Sequence, residues 1–329
     1  MSDETVQCLA HGFGGEIETL ERGVMLNGAP LPFDCTRQLN AEQPFRPVFM
    51  RLEKSGYRVE PDLGDTLPEA GFAIVLAGQS RDLNQRNFIR AWNALSPGGP
   101  IFVAGARNGG INPLRKLAQQ LAGEVEAKPK YHALALRAER RGKALALPPG
   151  LENCDGFTIP VGTFSQAGPD PASRLLASHF SGRLSGRCAD LGAGWGYLTE
   201  GALKACSAIT SIDLYEADWR ALEAAKTNLS GYAGGATGIS FHWCDVTTEF
   251  ARKPYDCIIM NPPFHAGREA VPALGRAFIE TAAATLVAGG RLIMVANRNL
   301  PYEERLSALF RHYEMLADEG GFKVLLAIR

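Results

Sequence analysis

The stretch that most restricts the fold is Tyr255-Asp256-Cys257-Ile258-Ile259-Met260-Asn261-Pro262-Pro263-Phe264. Its continuous apolar run suits a parallel strand covered on both faces. The two prolines fix φ and remove two backbone donors, so the strand has to stop where they begin. Beyond the stop stand one carboxamide, carbonyls free of neighbouring N–H groups, and one aromatic ring. That set suits a planar amine-bearing group, whose two N–H hydrogens need acceptors and whose face needs a ring. The plainer alternative is a strand end with a Pro-Pro turn, so the rest of the chain has to decide.

A chain of 329 residues is long for a single core and points to about two domains. A net charge of −1 excludes a grossly basic nucleic-acid binder while leaving room for a local basic patch. Seven scattered cysteines, with no C-x-x-C pair and no histidine cluster, predict neither structural zinc nor a disulfide framework, and no metal. No apolar run reaches membrane-spanning length, and Met1-Ser2-Asp3-Glu4 lacks the character of a signal peptide. The expectation is a soluble, cytoplasmic protein without membrane association.

The first half alternates strand and helix patterns without a recognisable site. Gly23 to Gly28 reads as a short strand, Phe72-Ala73-Ile74-Val75-Leu76 as a buried one, and Leu83 to Leu95 as a helix with Phe88, Ile89 and Trp92 on one face. Ile101 to Ala104 resumes a strand, Asn112 is placed to cap a helix, and Tyr131 to Arg137 alternates like a last, edge-side strand. The second half echoes this order. Ala73-Ile74-Val75-Leu76, a helix, Ser96-Pro97-Gly98-Gly99 and Ile101 to Ala104 line up with Cys257 to Met260, a helix, Val287-Ala288-Gly289-Gly290 and Leu292 to Val295. The pattern looks like a duplication. Where the second copy has Asn261 to Phe264, the first has Ala77-Gly78-Gln79-Ser80, with no matching acceptor or ring. Gly12-Phe13-Gly14-Gly15 follows no convincing strand and reads as a flexible loop. Lys128 to Lys143 carries six Lys/Arg against one acid, ahead of a linker-like Leu147-Pro148-Pro149-Gly150. A solvated edge explains such a cluster; in a protein that handles RNA it would be the first place to look for phosphate contacts.

The second half carries the cofactor signals. Arg187 to Leu191 is a strand feeding Gly192-Ala193-Gly194-Trp195-Gly196, with a helix from about Tyr197 to Ala205. The glycines let backbone pass close under a ligand at a helix N-terminus. The spacing G-x-G-x-G differs from the dinucleotide fingerprint. Asp190, just before it, is awkward beside a pyrophosphate and suitable beside a cationic amino-acid-like ligand. Asp213, read as ending the strand Ala208 to Ile212, stands where an acid binds ribose hydroxyls. Asp245, after Ile239 to Cys244, is placed to accept from an adenine amino group. Each acid alone could be a cap or a turn residue. Together with Asn261 they point to S-adenosylmethionine, bound where open α/β sheets bind ligands, at the carboxyl ends of their strands.

At this point the chain resembles the class I, small-type S-adenosylmethionine-dependent methyltransferases. More narrowly it resembles bacterial ribosomal RNA (guanine-N2-)methyltransferases with two tandem domains, the small-subunit enzymes above all. The resemblance rests on Gly162-Thr163-Phe164-Ser165 with Asp170 and Leu175-Leu176, on Asp190 to Gly196, and on Asn261-Pro262-Pro263-Phe264-His265-Ala266-Gly267. Val295-Ala296-Asn297, Leu300-Pro301-Tyr302 and Gly321-Phe322-Lys323-Val324 extend it. It covers residues 155 to 329 well and the first half only by architecture. Two positions depart from the pattern: Trp195, where a small residue is expected, and Pro171-Ala172-Ser173, where Gly-Ser is expected. The resemblance implies an α/β fold of two Rossmann-like class I methyltransferase domains: a degenerate one over 1–145, serving RNA binding or folding support, and a catalytic one over 155–329.

On this reading Asn261, Pro262 and Phe264 are catalytic. Asp190, Gly192, Gly194, Gly196, Asp213, Asp245 and Asn261 hold the cofactor, and Phe164, Phe264 and His265 meet the substrate. From the sequence alone Phe164 reads as a core residue, and His265 as a cap or a solvated side chain. The expected partner is ribosomal RNA or an assembled ribosomal subunit, and a monomer is favoured. The rivals are a large-subunit guanine, adenine N6 or protein glutamine as acceptor, and a non-catalytic RNA-binding assembly factor. A dinucleotide oxidoreductase is disfavoured by the glycine spacing.

Overall fold

The computed structural model describes residues 3–250, 253–263, 265–266, 269–270 and 272–329, the side chains of 265–270 excepted. The chain divides into two units, residues 1–152 and 153–329. Apolar runs set the centre of each. Phe72–Leu76 is buried at every position, and so is Cys257–Met260, because helices cover both faces of both sheets.

The first unit runs α1 (Asp3–Ile17), β1 (Gly23–Leu26), β2 (Leu39–Glu42), α2 (Arg46–Lys54), β3 (Arg58–Glu60), β4 (Phe72–Leu76), α3 (Arg81–Ala94), β5 (Pro100–Ala106), α4 (Ile111–Ala122), β6 (Glu126–Lys130) and β7 (Ala133–Glu139). Its sheet has the order β3-β2-β1-β4-β5-β7-β6, parallel as far as β5, with β7 antiparallel to both β5 and β6.

A hairpin follows, β8 (Leu151–Cys154), which spans the division between the units, and β9 (Phe157–Pro160) in the second unit. The second unit continues α5 (Pro171–Ala177), β10 (Gly186–Leu191), α6 (Tyr197–Ala205), β11 (Ile209–Glu216), α7 (Trp219–Asn228), β12 (Gly238–Trp243) and β13 (Tyr255–Met260). After the two-residue strands β14 (His265–Ala266) and β15 (Glu269–Ala270) come α8 (Pro272–Thr285), β16 (Leu286–Asn297), α9 (Glu303–Leu309), β17 (His312–Glu319) and β18 (Phe322–Ile328). Its sheet order, β12-β11-β10-β13-β16-β18-β17, repeats that of the first unit strand for strand, antiparallel edge included. The echo read from the sequence is thus an architectural repeat.

Several local readings change. Gly12 to Gly15 lie inside α1, where Leu9, Phe13 and Ile17 form a buried stripe at i, i+4 spacing. Gly12 lets that helix approach β6: a Cβ there would stand 3.1 Å from Lys128 Cβ. The stretch is helix rather than loop, and Gly12 serves its packing. Asn112 is the second residue of α4, not its cap, and donates to the Arg107 carbonyl (3.2 Å). β7 is an interior strand; β6, whose Pro129 and lysines gave no strand signal, is the edge. The basic stretch is partly committed to structure. Lys128 pairs with Glu126, Arg137 with Glu16 and Glu139, and Arg140 donates to the Leu95 carbonyl.

Candidate active site

In an open sheet the crevice lies where strand order reverses, here between β10 and β13. β10 delivers Asp190 and then the glycine turn. Gly192, Gly194 and Gly196 all take left-handed φ, at +73°, +56° and +93°. Their roles differ. The Gly192 N–H is fixed to the Tyr215 carbonyl (2.8 Å), and the Gly194 N–H to Glu216 Oε2 (2.8 Å). A Cβ on Gly194 would meet nothing within 4 Å, so bare backbone is offered to a ligand there. A Cβ on Gly196 would crowd Ala225 and Leu229, both at 3.3 Å. Gly196 therefore starts α6 and makes room for the α7 region, and only Gly192 and Gly194 of the three line the cleft.

That cleft is lined by Phe164 and Asp170, by the glycine turn with Trp195 and Tyr197, and by Asn261 at the end of β13. Asn261 Nδ2 donates to Asp170 Oδ2 (3.1 Å) and to Ser173 Oγ (2.9 Å). Its Oδ1 is buried without a hydrogen-bond partner among the described residues. Pro262 is buried beyond it and Pro263 is exposed. Phe264 lies outside the described residues. His265 is described only as backbone of β14, paired with Ala270.

Asp190 is fully buried at the end of β10. Its Oδ2 accepts from Thr199 Oγ1 (2.8 Å), and its Oδ1 is without a partner among the described residues. Burial pushes its pKa up to about 7, against the smaller pull of the Thr199 hydroxyl.

One acid stands elsewhere than expected, and another is engaged by its own turn. Asp213 does not end its strand: β11 continues through Leu214 and Tyr215, both buried, to Glu216. Asp213 pairs in register with Ala189, and its Oδ2 accepts from Tyr255 Oη (2.6 Å) and Lys253 Nζ (3.1 Å). Its pKa is lowered, the two hydrogen bonds and the Lys253 charge outweighing desolvation. It belongs to a network with Tyr215, Tyr255 and His242, away from the residues lining the cleft.

The acid at the strand end is Glu216, which the sequence reading missed. It accepts from Gly194 N on the glycine turn and from Asp218 N (2.7 Å), backbone groups rather than a cation, and burial pushes its pKa up to about 7. The usable signal was Leu214-Tyr215, which prolongs the apolar alternation past Asp213. Asp245 does lie just beyond β12, but its carboxylate is taken up by the Thr247 N–H (2.9 Å) and the hydroxyls of Thr247 (2.7 Å) and Thr248 (3.1 Å). It is the cap of a turn.

Both departures from the family pattern have structural uses. The Trp195 ring is buried against Phe157, with centroids 4.8 Å apart, and its Nε1–H donates to the Phe164 carbonyl (3.3 Å). The indole thereby anchors the segment that holds Phe164, a residue 65% exposed at the rim of the cleft rather than in a core. Pro171 opens α5 at its first position, Asp170 caps the same helix through the Ser173 N–H (3.0 Å), and Ser173 reaches Asn261.

A seven-stranded sheet of this order, with a glycine turn and a strand-end acid at its switch point, defines a class I methyltransferase fold. The chain belongs to the Methyltransferase small domain family, whose model matches residues 156–326. It is accordingly a methyltransferase, of a family that uses S-adenosylmethionine. It is 29% identical over 295 residues to "Ribosomal RNA small subunit methyltransferase C" of Shewanella loihica, covering 84% of this chain and 83% of that one. It is 31% identical to the protein of the same name from Klebsiella pneumoniae, covering 71% and 68%. "Ribosomal RNA large subunit methyltransferase G" of Alcanivorax borkumensis is also 31% identical, covering 70% and 60%. Among solved structures, a T. thermophilus 16S rRNA N2 methyltransferase, in complex with AdoMet and guanosine, superposes with a TM-score of 0.81 over 99% of this chain and 92% of that one. At 24% identity it speaks for the two-domain fold.

The residues fit such a cofactor. Asp190 Oδ1 is a buried acceptor without a partner among the described residues, suited to an ammonium group. Glu216 is a carboxylate held at the strand end by backbone donors, suited to hydroxyls. Gly194 leaves open space where a side chain would stand. No group of His, Cys, Asp or Glu that could hold a metal ion occurs among the described residues, and no helix of the described residues is long and apolar enough to cross a membrane.

Proposed function

We propose that this chain transfers a methyl group from S-adenosylmethionine to the exocyclic N2 of a guanine in ribosomal RNA, that of the small subunit. The single observation that carries this reading is the buried Oδ1 of Asn261 at the mouth of the cleft, unpartnered among the described residues. A buried acceptor left unsatisfied is costly, and a planar NH₂ supplies what it lacks. The small-subunit enzymes among the relatives support the choice of acceptor.

Bound in the cleft, S-adenosylmethionine supplies a methyl group on a positively charged sulfur. The chain's own residues do the rest. Glu216, Asp190 and the glycine turn hold the donor. Asn261 Oδ1 and the Pro262 carbonyl accept hydrogen bonds from the two N–H groups of the amine, drawing it toward a tetrahedral shape in which its lone pair is free. As the N–C bond forms, the donor's S–C bond breaks to leave a neutral thioether, and one N–H proton passes to solvent. Phe164 at the rim offers a face to the base. The gain comes from orientation and fixed dipoles rather than from a strong base. The target base leaves its stack to enter, since its neighbours otherwise cover both faces.

The test supplies methyl-labelled S-adenosylmethionine with small-subunit RNA or subunits, large-subunit RNA, and total protein in separate reactions, followed by nucleoside mass spectrometry. N2-methylguanosine from the small subunit is the expected product. Label in the large subunit, in N6-methyladenosine or in protein would move the acceptor. Asn261→Ala should lower kcat about 10²–10³-fold while the dissociation constant for S-adenosylmethionine changes little. Normal turnover by that variant would refute the acceptor role.

A further inference from the structure

Asn261 can serve an amine only if its carboxamide oxygen, and not its nitrogen, faces the cleft. The two ends of a carboxamide are nearly the same size, so neighbours have to impose the choice. Two neighbours do so here. Asp170 Oδ2 stands 3.1 Å from Asn261 Nδ2, and Ser173 Oγ stands 2.9 Å from it. An ionised carboxylate only accepts, so it is the NH₂ end that must face Asp170. Asp170 and Ser173 together use both hydrogens of that NH₂. The remaining capacity of the side chain is Oδ1, buried and without a partner among the described residues.

We infer that Asp170 and Ser173 are positioning residues for methyl transfer, locking the carboxamide of Asn261 with its oxygen toward the acceptor amine. The inference rests on the proposed function insofar as that assigns Asn261 the acceptor role. The lock is tied to the backbone. The same Asp170 Oδ2 takes the Ser173 N–H (3.0 Å), and Pro171 between them starts α5 with its φ already set. Cap and lock are one assembly, and Pro171-Ala172-Ser173 is the sequence that builds it.

A residue that only caps a helix and a residue that orients Asn261 answer differently to Asp170→Asn. Asparagine caps helices about as well as aspartate, so a cap alone predicts wild-type stability and rate. Positioning predicts wild-type stability with a lower rate, because the substituted side chain could present its own N–H and let the Asn261 carboxamide turn over. With S-adenosylmethionine and ribosomal RNA, Asp170→Asn should lower kcat at least tenfold. The dissociation constant for S-adenosylmethionine should stay within about threefold and the melting temperature within a few degrees. Ser173→Ala should lower kcat about threefold and Ser173→Thr should restore it.

A second measurement needs no turnover. The Asn261 side-chain ¹⁵N–¹H pair, identified by its loss in Asn261→Asp, should shift in the cofactor-free Asp170→Asn protein. If the wild type methylates something other than guanine, the proposed function falls while the resonances still decide the lock. Unmoved resonances, or an unchanged kcat in a folded Asp170→Asn enzyme, would overturn it.

Discussion

The two units share one sheet order and handle its crevice in opposite ways. In the second, β10 and β13 lead into a glycine turn and the Asn261 carboxamide, whose Oδ1 has no partner among the described residues. In the first, the equivalent gap between β1 and β4 is stitched shut, since Asn27 after β1 donates from Nδ2 to the Leu76 carbonyl at the end of β4 (2.8 Å). Gly78, where the second unit has Pro262, exchanges two hydrogen bonds with the Asn84 side chain (2.8 and 2.9 Å). The acids differ most. Glu42 ends β2 as Glu216 ends β11, but Arg90 from α3 grips both Glu42 oxygens, at 2.8 and 2.6 Å, with both side chains at least 91% buried. Glu216 is held by backbone N–H groups instead. One architecture thus supports either a plug or a binding site, according to whether its strand-end groups are satisfied internally.

The sharpest way to break this comparison is to remove the plug. Arg90→Ala leaves a buried, unpaired carboxylate and should cost about 3–5 kcal/mol of stability in denaturant unfolding, without creating a second site for S-adenosylmethionine in calorimetry. In the second unit Glu216→Gln should act on binding instead. Loss of hydrogen bonds to a charged group is worth about 1.5–3 kcal/mol, read as a roughly 10- to 100-fold rise in the cofactor's dissociation constant, with Asp213→Asn raising it far less. If Asp213→Asn proved the more damaging to binding, the assignment of Glu216 would be wrong.

A smaller contrast lies in pH. The folded-state pKa of Asp190 is about 7, above its unfolded value, so its contribution to stability is complete at low pH and is lost as pH rises through about 7. In the cofactor-free protein, stability should fall through this group as pH rises from the ordinary carboxylate range to about 7, and Asp190→Asn should remove that part of the slope. The smallest effect is expected from Phe164→Ala, about 1 kcal/mol of base stacking, seen as a roughly fivefold higher KM for RNA with unaltered cofactor affinity.

The repeat, the glycine turn and Asn261 were legible because each is written in consecutive residues. Strand-buried runs and Pro-Pro stops act locally, and the sequence shows them. Glu216 was hidden because a charged residue, Asp213, stands inside its strand and imitates a strand end. The partners of Asp213, Lys253 and Tyr255, come from distant positions. Asp245 looked like a ligand residue because nothing in a single sequence says whether a carboxylate will be consumed by threonines two and three places on. Asp170 entered only as part of the family resemblance and Ser173 only within a departure from it; their grip on Asn261 spans 91 and 88 residues and exists only in the fold.

The Arg90–Glu42 pair also bears on the history of the repeat. Once a guanidinium had settled on the strand-end acid, neither residue could be changed alone without stranding a charge in the interior. Regaining an open crevice would require both to change together, along with the Asn27 stitch. A protein changed only at Arg90 or only at Glu42 is therefore expected to fold less well than one changed at both, because only the paired change leaves no stranded charge.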